Sequence, residues 1–160
     1  MAQPGTARAW KARGVSTPQE FKSPPRRLFK NCYYYDNMKK ISAIKLVEKK
    51  SRFYSYLYDI KEESEIEDIL KIHRKKYKKA NHHCYGLLYK SKQCDIEVSK
   101  DDGEVGHPGK VLIDLLKKHN LNHHALVVSR VFGGIKLGVG GVSRAFREAG
   151  ESAITQYKKK

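Results

Sequence analysis

At 160 residues the chain has room for one ordinary domain, large enough to bury a core that needs no staples. Cys32, Cys84 and Cys94 are an odd set with no C-x-x-C pair, which argues against a disulfide scaffold and for a reducing compartment. An excess of 33 Lys and Arg over 17 Asp and Glu leaves +16, a field that attracts polyanions, and no apolar run nears the ~18 residues of a membrane span.

No secretory apolar segment opens the chain, so the expectation is a soluble, cytoplasmic protein with no membrane partner. Residues 1–37 hold four of the five prolines, and Glu20 and Asp36 are their only acids. Without a sustained apolar period such a segment cannot offset its ordering entropy, and a disordered basic extension is expected. An Arg-rich, acid-poor start also suits a transit peptide, and Met38 suits a start of translation. The folded domain is expected over residues 38–160.

Residues 41–47 and 52–58 read as two strands around a charged turn. A helix over 62–78 follows, its acids leading and its bases trailing, with Ile66, Ile69, Leu70, His73 and Tyr77 on one face. Residues 84–89 make a third strand and 95–98 a short fourth. Pro108 opens a second helix with the stripe Val111, Leu112, Leu115 and Leu116, stopped near Asn120. Residues 125–131 form the next strand, and a glycine loop feeds a last helix, 142–157. Its inner face is Val142, Ala145, Phe146, Ala149 and Ala153. The order ββαββαβα predicts one α+β domain, a two-layer sandwich with a mixed β-sheet and helices on one face.

The glycine loop is the most informative stretch. Five of the 12 glycines, Gly133, Gly134, Gly138, Gly140 and Gly141, fall between a strand and a helix. That arrangement presents bare backbone N–H groups at a helix start, where the dipole favours an anion. Arg130, Lys136, Arg144 and Arg147 flank it. No Gly-Lys-Ser/Thr ends it, so it is no P-loop, and Ser143 stands where a dinucleotide fingerprint needs its third glycine. The same backbone freedom serves close strand–helix packing, which is the plainer reading of these glycines.

Asp101, Asp102 and Glu104 surround Gly103. They read first as an acid–base network tying their loop to Arg130 or Lys136, and second as oxygen ligands for a magnesium ion shared with the ligand. The pairs His82-His83 and His123-His124, even with Cys94, make a poor zinc set, because strand neighbours point to opposite faces. His83 is kept as a lesser candidate at the rim of the site. Cys84 reads as a small buried hydrophobe rather than a nucleophile, and no catalytic constellation is recognisable. Tyr54, Tyr56 and Tyr58 share one strand face, a pattern that serves packing on a helix more often than base stacking.

Four segments together resemble the IMPACT/YigZ family. They are Lys49-Lys50-Ser51-Arg52-Phe53, Ala80-Asn81-His82-His83-Cys84, Asp101-Asp102-Gly103-Glu104 and the long string from Arg130 to Phe146 that contains the glycine loop. The resemblance covers roughly residues 41–157, as a bare core domain. It implies an α+β fold like the second domain of the fifth small-subunit ribosomal protein. It also implies a setting in translation: eukaryotic members similar in this domain restrain the kinase that phosphorylates the initiation factor during amino-acid starvation, and bacterial members are linked to nucleic acid or the ribosome. Where the family has proline and then Gly-Thr-Ala-Gly after the acidic motif, this chain has Val105-Gly106-His107-Pro108-Gly109.

The functional expectation is a non-enzymatic, translation-associated domain of the stress response that binds RNA, the ribosome or another phosphate-bearing ligand. Arg130, Lys136 and Arg144 would meet phosphates, and Gly133, Gly134, Gly138, Gly140 and Gly141 would let the backbone approach. Two alternatives stand beside it. One is an enzyme acting on a phosphorylated small molecule. The other is a protein-interaction module that meets a translation-regulatory protein partner in the starvation-responsive kinase pathway.

Overall fold

The computed structural model describes residues 39–91 and 94–159; the basic extension expected over residues 1–37 lies outside them. The chain forms β1 (Lys39–Glu48), β2 (Ser51–Asp59), α1 (Glu65–Lys76), β3 (His82–Lys90), β4 (Asp95–Lys100), α2 (Pro108–Lys118), β5 (His124–Val131) and α3 (Gly138–Lys158). The α+β class and the order ββαββαβα hold.

The five strands make one sheet in the order β1-β2-β5-β3-β4, and every neighbouring pair is antiparallel. The expected mixed sheet is therefore corrected. Helical crossovers usually join parallel strands, and here β2 and β3 do run the same way, since both are antiparallel to β5. But β5 lies between them, and β3 lies in the same way between β4 and β5. Each crossover skips a strand, so no parallel pair touches.

The helices also cover both faces rather than one. Phe53, Leu57, Cys84, Leu88, Leu126 and Val128 pack with Leu112 and Leu116 of α2 and with Val142, Phe146 and Ala149 of α3. On the other face, Tyr56, Tyr58, Tyr85, Leu87, Ala125 and Val127 pack with Ile66, Ile69 and Leu70 of α1. The cause is in the strands: β2, β3 and β5 carry apolar residues at successive positions, so both faces must be covered. The result is three layers, with α1 on one side of the sheet and α2 with α3 on the other. No helix among the described residues is long and apolar enough to cross a membrane.

The α1 face contains a buried polar chain. The Tyr58 hydroxyl lies 2.9 Å from His73 Nε2, and Ser129 Oγ lies 2.8 Å from both His73 Nδ1 and His83 Nδ1. Ser129 has one hydroxyl proton, so it donates to one imidazole and accepts from the other. Burial, reinforced by His83 and Lys76, pushes the His73 imidazole down to about 3. Burial also lowers His83, with Asp102 opposing and Arg74 and His82 assisting. Both rings are thus held neutral at physiological pH.

Candidate functional site

Strand register brings four connections to one end of the sheet. Arg52 pairs with Val131, His82 with Arg130 and Tyr85 with Lys100. The β1–β2 turn, the α1–β3 connection, the β4–α2 loop and the β5–α3 loop therefore gather there. The first of these, Lys49-Lys50, is exposed and carries positive φ at both residues, 43° and 66°.

The glycine stretch divides in two. Residues 132–137 are loop, while Gly138, Gly140 and Gly141 lie in the first turn of α3, four residues earlier than the expected start at Val142. Poor helix formers are tolerated there because first-turn N–H groups have no intrahelical acceptor. No side chain caps this terminus at Leu137. Gly134, Lys136, Gly138 and Gly140 are exposed, and Gly141 is half-buried against Leu137. Gly134 and Gly138 adopt positive φ, +89° and +72°.

The start of the loop is fixed from two sides. The Phe132 N–H donates to Asn81 Oδ1 at 3.0 Å, and the Gly133 N–H donates to Ser51 Oγ at 3.3 Å. A Cβ on Gly133 would lie 2.0 Å from the Lys50 carbonyl carbon, whereas one on Gly134 would meet nothing within 4 Å. Gly133→Ala must therefore force the β1–β2 turn away, at a cost near the upper end of ~1–3 kcal/mol for overpacking. Gly134→Ala carries only backbone strain, about 1–2 kcal/mol. Urea unfolding of the two variants checks the ranking, and equal midpoints would show that the turn yields freely.

Arg130, expected to meet phosphates, is turned inward. Its strand position shares a face with Leu126 and Val128, and its side chain is only 6% exposed. Nη1 donates to Glu104 Oε2 at 2.6 Å, and that carboxylate is 4% exposed. Arg144 is exposed on the outer side of α3, where it lines a surface groove with Ile44, Lys118 and Arg147. Lys136 stands in the exposed loop itself.

The three acids are held by separate partners. Asp101 Oδ1 accepts the Gly109 N–H at 2.7 Å, and its other carboxylate oxygen lies 3.5 Å from His107 Nδ1. Asp102 Oδ2 accepts the His83 N–H at 2.9 Å, and Glu104 lies 3.7 Å from His82 Nε2 besides pairing with Arg130. These carboxylates tie the β4–α2 loop to β3, β5 and α2. Among the described residues no group of three or more His, Cys, Asp or Glu side chains is placed to hold a metal.

His83, expected at the rim, is buried in the polar chain under α1, and its half-buried neighbour His82 stands beside Glu104 instead. Burial, ahead of the neighbouring acids, raises the Cys84 thiol far above its ordinary value, and the S–H donates to the Asp101 carbonyl at 3.0 Å. Tyr54, Tyr56 and Tyr58 pack beneath α1 and Tyr77, with the Tyr54 and Tyr77 rings stacked at 4.2 Å. Lys50 and Phe132, which lie in segments of the family resemblance but are not among the expected site residues, also stand at this end of the sheet. Ser143, which breaks the dinucleotide fingerprint, donates to the Gly106 carbonyl at 2.7 Å and clasps the β4–α2 loop to α3.

A family model, the Impact N-terminal domain, matches residues 49–154. The chain is 34% identical over 113 residues to the IMPACT family member YvyE of Bacillus subtilis, covering 70% of this chain and 52% of that one. It is also 34% identical over 96 residues to the protein IMPACT homolog of Dictyostelium discoideum, covering 58% of this chain and 28% of that one. A crystal structure of a hypothetical protein superimposes with a TM-score of 0.66 at 27% identity, over 72% of this chain and 57% of that one. The chain spans about half the length of the bacterial relatives it matches.

Proposed function

This chain belongs to the IMPACT family, and from that premise we propose that it is a translation-associated domain that binds RNA without catalysis, as free structured RNA or on the ribosome. The contact surface is the end of the sheet formed by the β5–α3 loop, the first turn of α3 and the β1–β2 turn, continued by exposed Arg144 on the next turn of α3. One observation carries the reading: an exposed, uncapped helix start with two positive-φ glycines stands beside exposed Lys136 and the Lys49-Lys50 turn. Phosphate oxygens suit such amides, and the ammonium groups supply the compensating charge. The translational setting comes with the family resemblance.

Arg130 has no part in phosphate contact on this reading. Its pair with Glu104 is part of the frame that fixes the loops. A non-catalytic role is supported by the acids, which are individually engaged, and by a buried thiol.

The test begins with purification in mild salt, with and without ribonuclease, and identification of what co-purifies. RNA affinity should fall steeply with salt, in proportion to the phosphates contacted, whereas a small-molecule site would barely respond. Lys136→Ala combined with Arg144→Ala should weaken RNA binding and flatten the salt dependence by about one unit of slope per cation removed. The melting temperature should scarcely move, because both side chains are exposed. A collapse in melting temperature would make the two cations structural and remove them from the interface.

A further inference from the structure

Among the described residues, Phe132 is an exposed phenylalanine at this end of the sheet. Its side chain belongs to a residue 43% exposed, yet its backbone is fixed by Asn81 and, through Gly133, by Ser51. Beneath it a column of rings and charge runs into the core. The Arg130 guanidinium carbon lies over the Phe132 ring at 5.8 Å from its centroid and over the Phe53 ring at 5.6 Å, and Phe53 meets Phe146 edge-on at 5.3 Å. Arg130 is buried and held by Glu104, so the inner end of the column is fixed, while Phe132 at its outer end is exposed.

We infer that Phe132 is a stacking platform for an unpaired base, so that the preferred ligand of the surface is single-stranded rather than duplex RNA. The inference rests on the RNA reading above and names its ligand class. A single exposed phenylalanine is ordinary on a protein surface. This one differs in having its backbone tied to Asn81 and a buried guanidinium over its ring, with exposed Lys136 four residues on in its loop and exposed Lys50 in the turn that abuts Gly133. Every base has a face that stacks on an aromatic ring, and the flanking ammonium groups would meet the phosphates on each side of it. In a duplex that face is covered by the next base pair. Stacking therefore selects unpaired nucleotides without selecting sequence.

The experiment uses the full chain and two RNA probes of equal length, an unstructured strand with one 2-aminopurine and a blunt duplex. The wild-type protein should hold the single strand more tightly and quench the 2-aminopurine. Phe132→Ala should weaken single-strand binding about tenfold, within the range for removal of one stacking ring, and abolish the quench. Its effect on the duplex should be small. Phe132→Trp should restore both signals. Phe132→Leu, which keeps apolar cover over Arg130, should not, and this separates stacking from folding. Lys136→Ala should weaken both probes. Equal wild-type affinity for the two probes, or loss on Phe132→Ala that is the same for both, would overturn the inference and leave RNA binding standing. Retention of neither probe would remove the RNA reading and this inference together.

Discussion

Glu104→Ala is expected to lower the stability of the fold by about 3–5 kcal/mol, seen as a large fall in the urea midpoint. The Glu104 and Arg130 side chains are 4% and 6% exposed and meet at 2.6 Å. A guanidinium cannot shed its charge by titration, so removing the carboxylate leaves a buried, uncompensated cation. The site already has little to spare, because Arg130 Nε makes no hydrogen bond among the described residues. Glu104→Gln keeps the volume and an acceptor oxygen, and should cost less than Ala. The decisive variant is double: Glu104→Leu with Arg130→Met removes both charges together and should recover much of the loss. If the double variant is as unstable as the single one, the charge pair is not what the fold depends on. The functional consequence is local. Without the pair, the β4–α2 loop loses its tie to the end of β5, and Phe132 loses the fixed guanidinium under its ring.

The elements of this fold are legible in the sequence because their periods are clean. Ile66, Ile69, Leu70 and His73 recur at helical spacing and are the buried residues of α1. Strand order is not legible, since nothing local in residues 124–131 says that this segment enters between β2 and β3. That choice belongs to long-range packing. The need for two covering layers could have been read from Leu87-Leu88 and from Leu126-Val127-Val128, where neighbouring positions are all apolar and no face is left for water. Tyr54, Tyr56 and Tyr58 obscured it, because their hydroxyls suit either a wet face or a polar network.

The candidate site was legible in part for the same reasons. An exposed glycine loop between strand and helix follows from local sequence. The inward turn of Arg130 was half-legible, since it alternates with Leu126 and Val128 on one face, but its partner is 26 residues away. The burial of His83 depends on Ser129 in a neighbouring strand, which sequence spacing does not reveal. The exposure of Phe132 is not legible in the sequence, because a phenylalanine beside a strand ordinarily joins the core. Its exposure follows from Asn81 and Ser51, which fix the backbone where the chain leaves the sheet.

Mild acid should destabilise this protein before its carboxylates titrate, and His73 should account for much of the effect. In the folded chain His73 is buried with a value near 3, against 6.5 when unfolded. The unfolded chain therefore takes up the proton first as the pH falls. The stability linked to His73 is complete above about 6.5 and is lost toward pH 3, at about 1.4 kcal/mol per pH unit. That is about 2 kcal/mol by pH 5 and about 4 by pH 3.5. His83 shifts in the same direction and adds to the slope. Glu151 also moves downward: burial opposes the shift, but hydrogen bonds from His119 and Lys118 outweigh it, so its share of stability is lost only below its ordinary range near 4.5. Urea unfolding between pH 7.5 and pH 5 at constant ionic strength therefore isolates the histidines. His73→Gln should be less stable at pH 7.5, because an amide carries both polar atoms at its tip and cannot meet Tyr58 and Ser129 from the two ring positions that the imidazole uses, yet its stability should decline less steeply with acid. A flat wild-type profile over that interval would mean that His73 is not held neutral, and the prediction would fail.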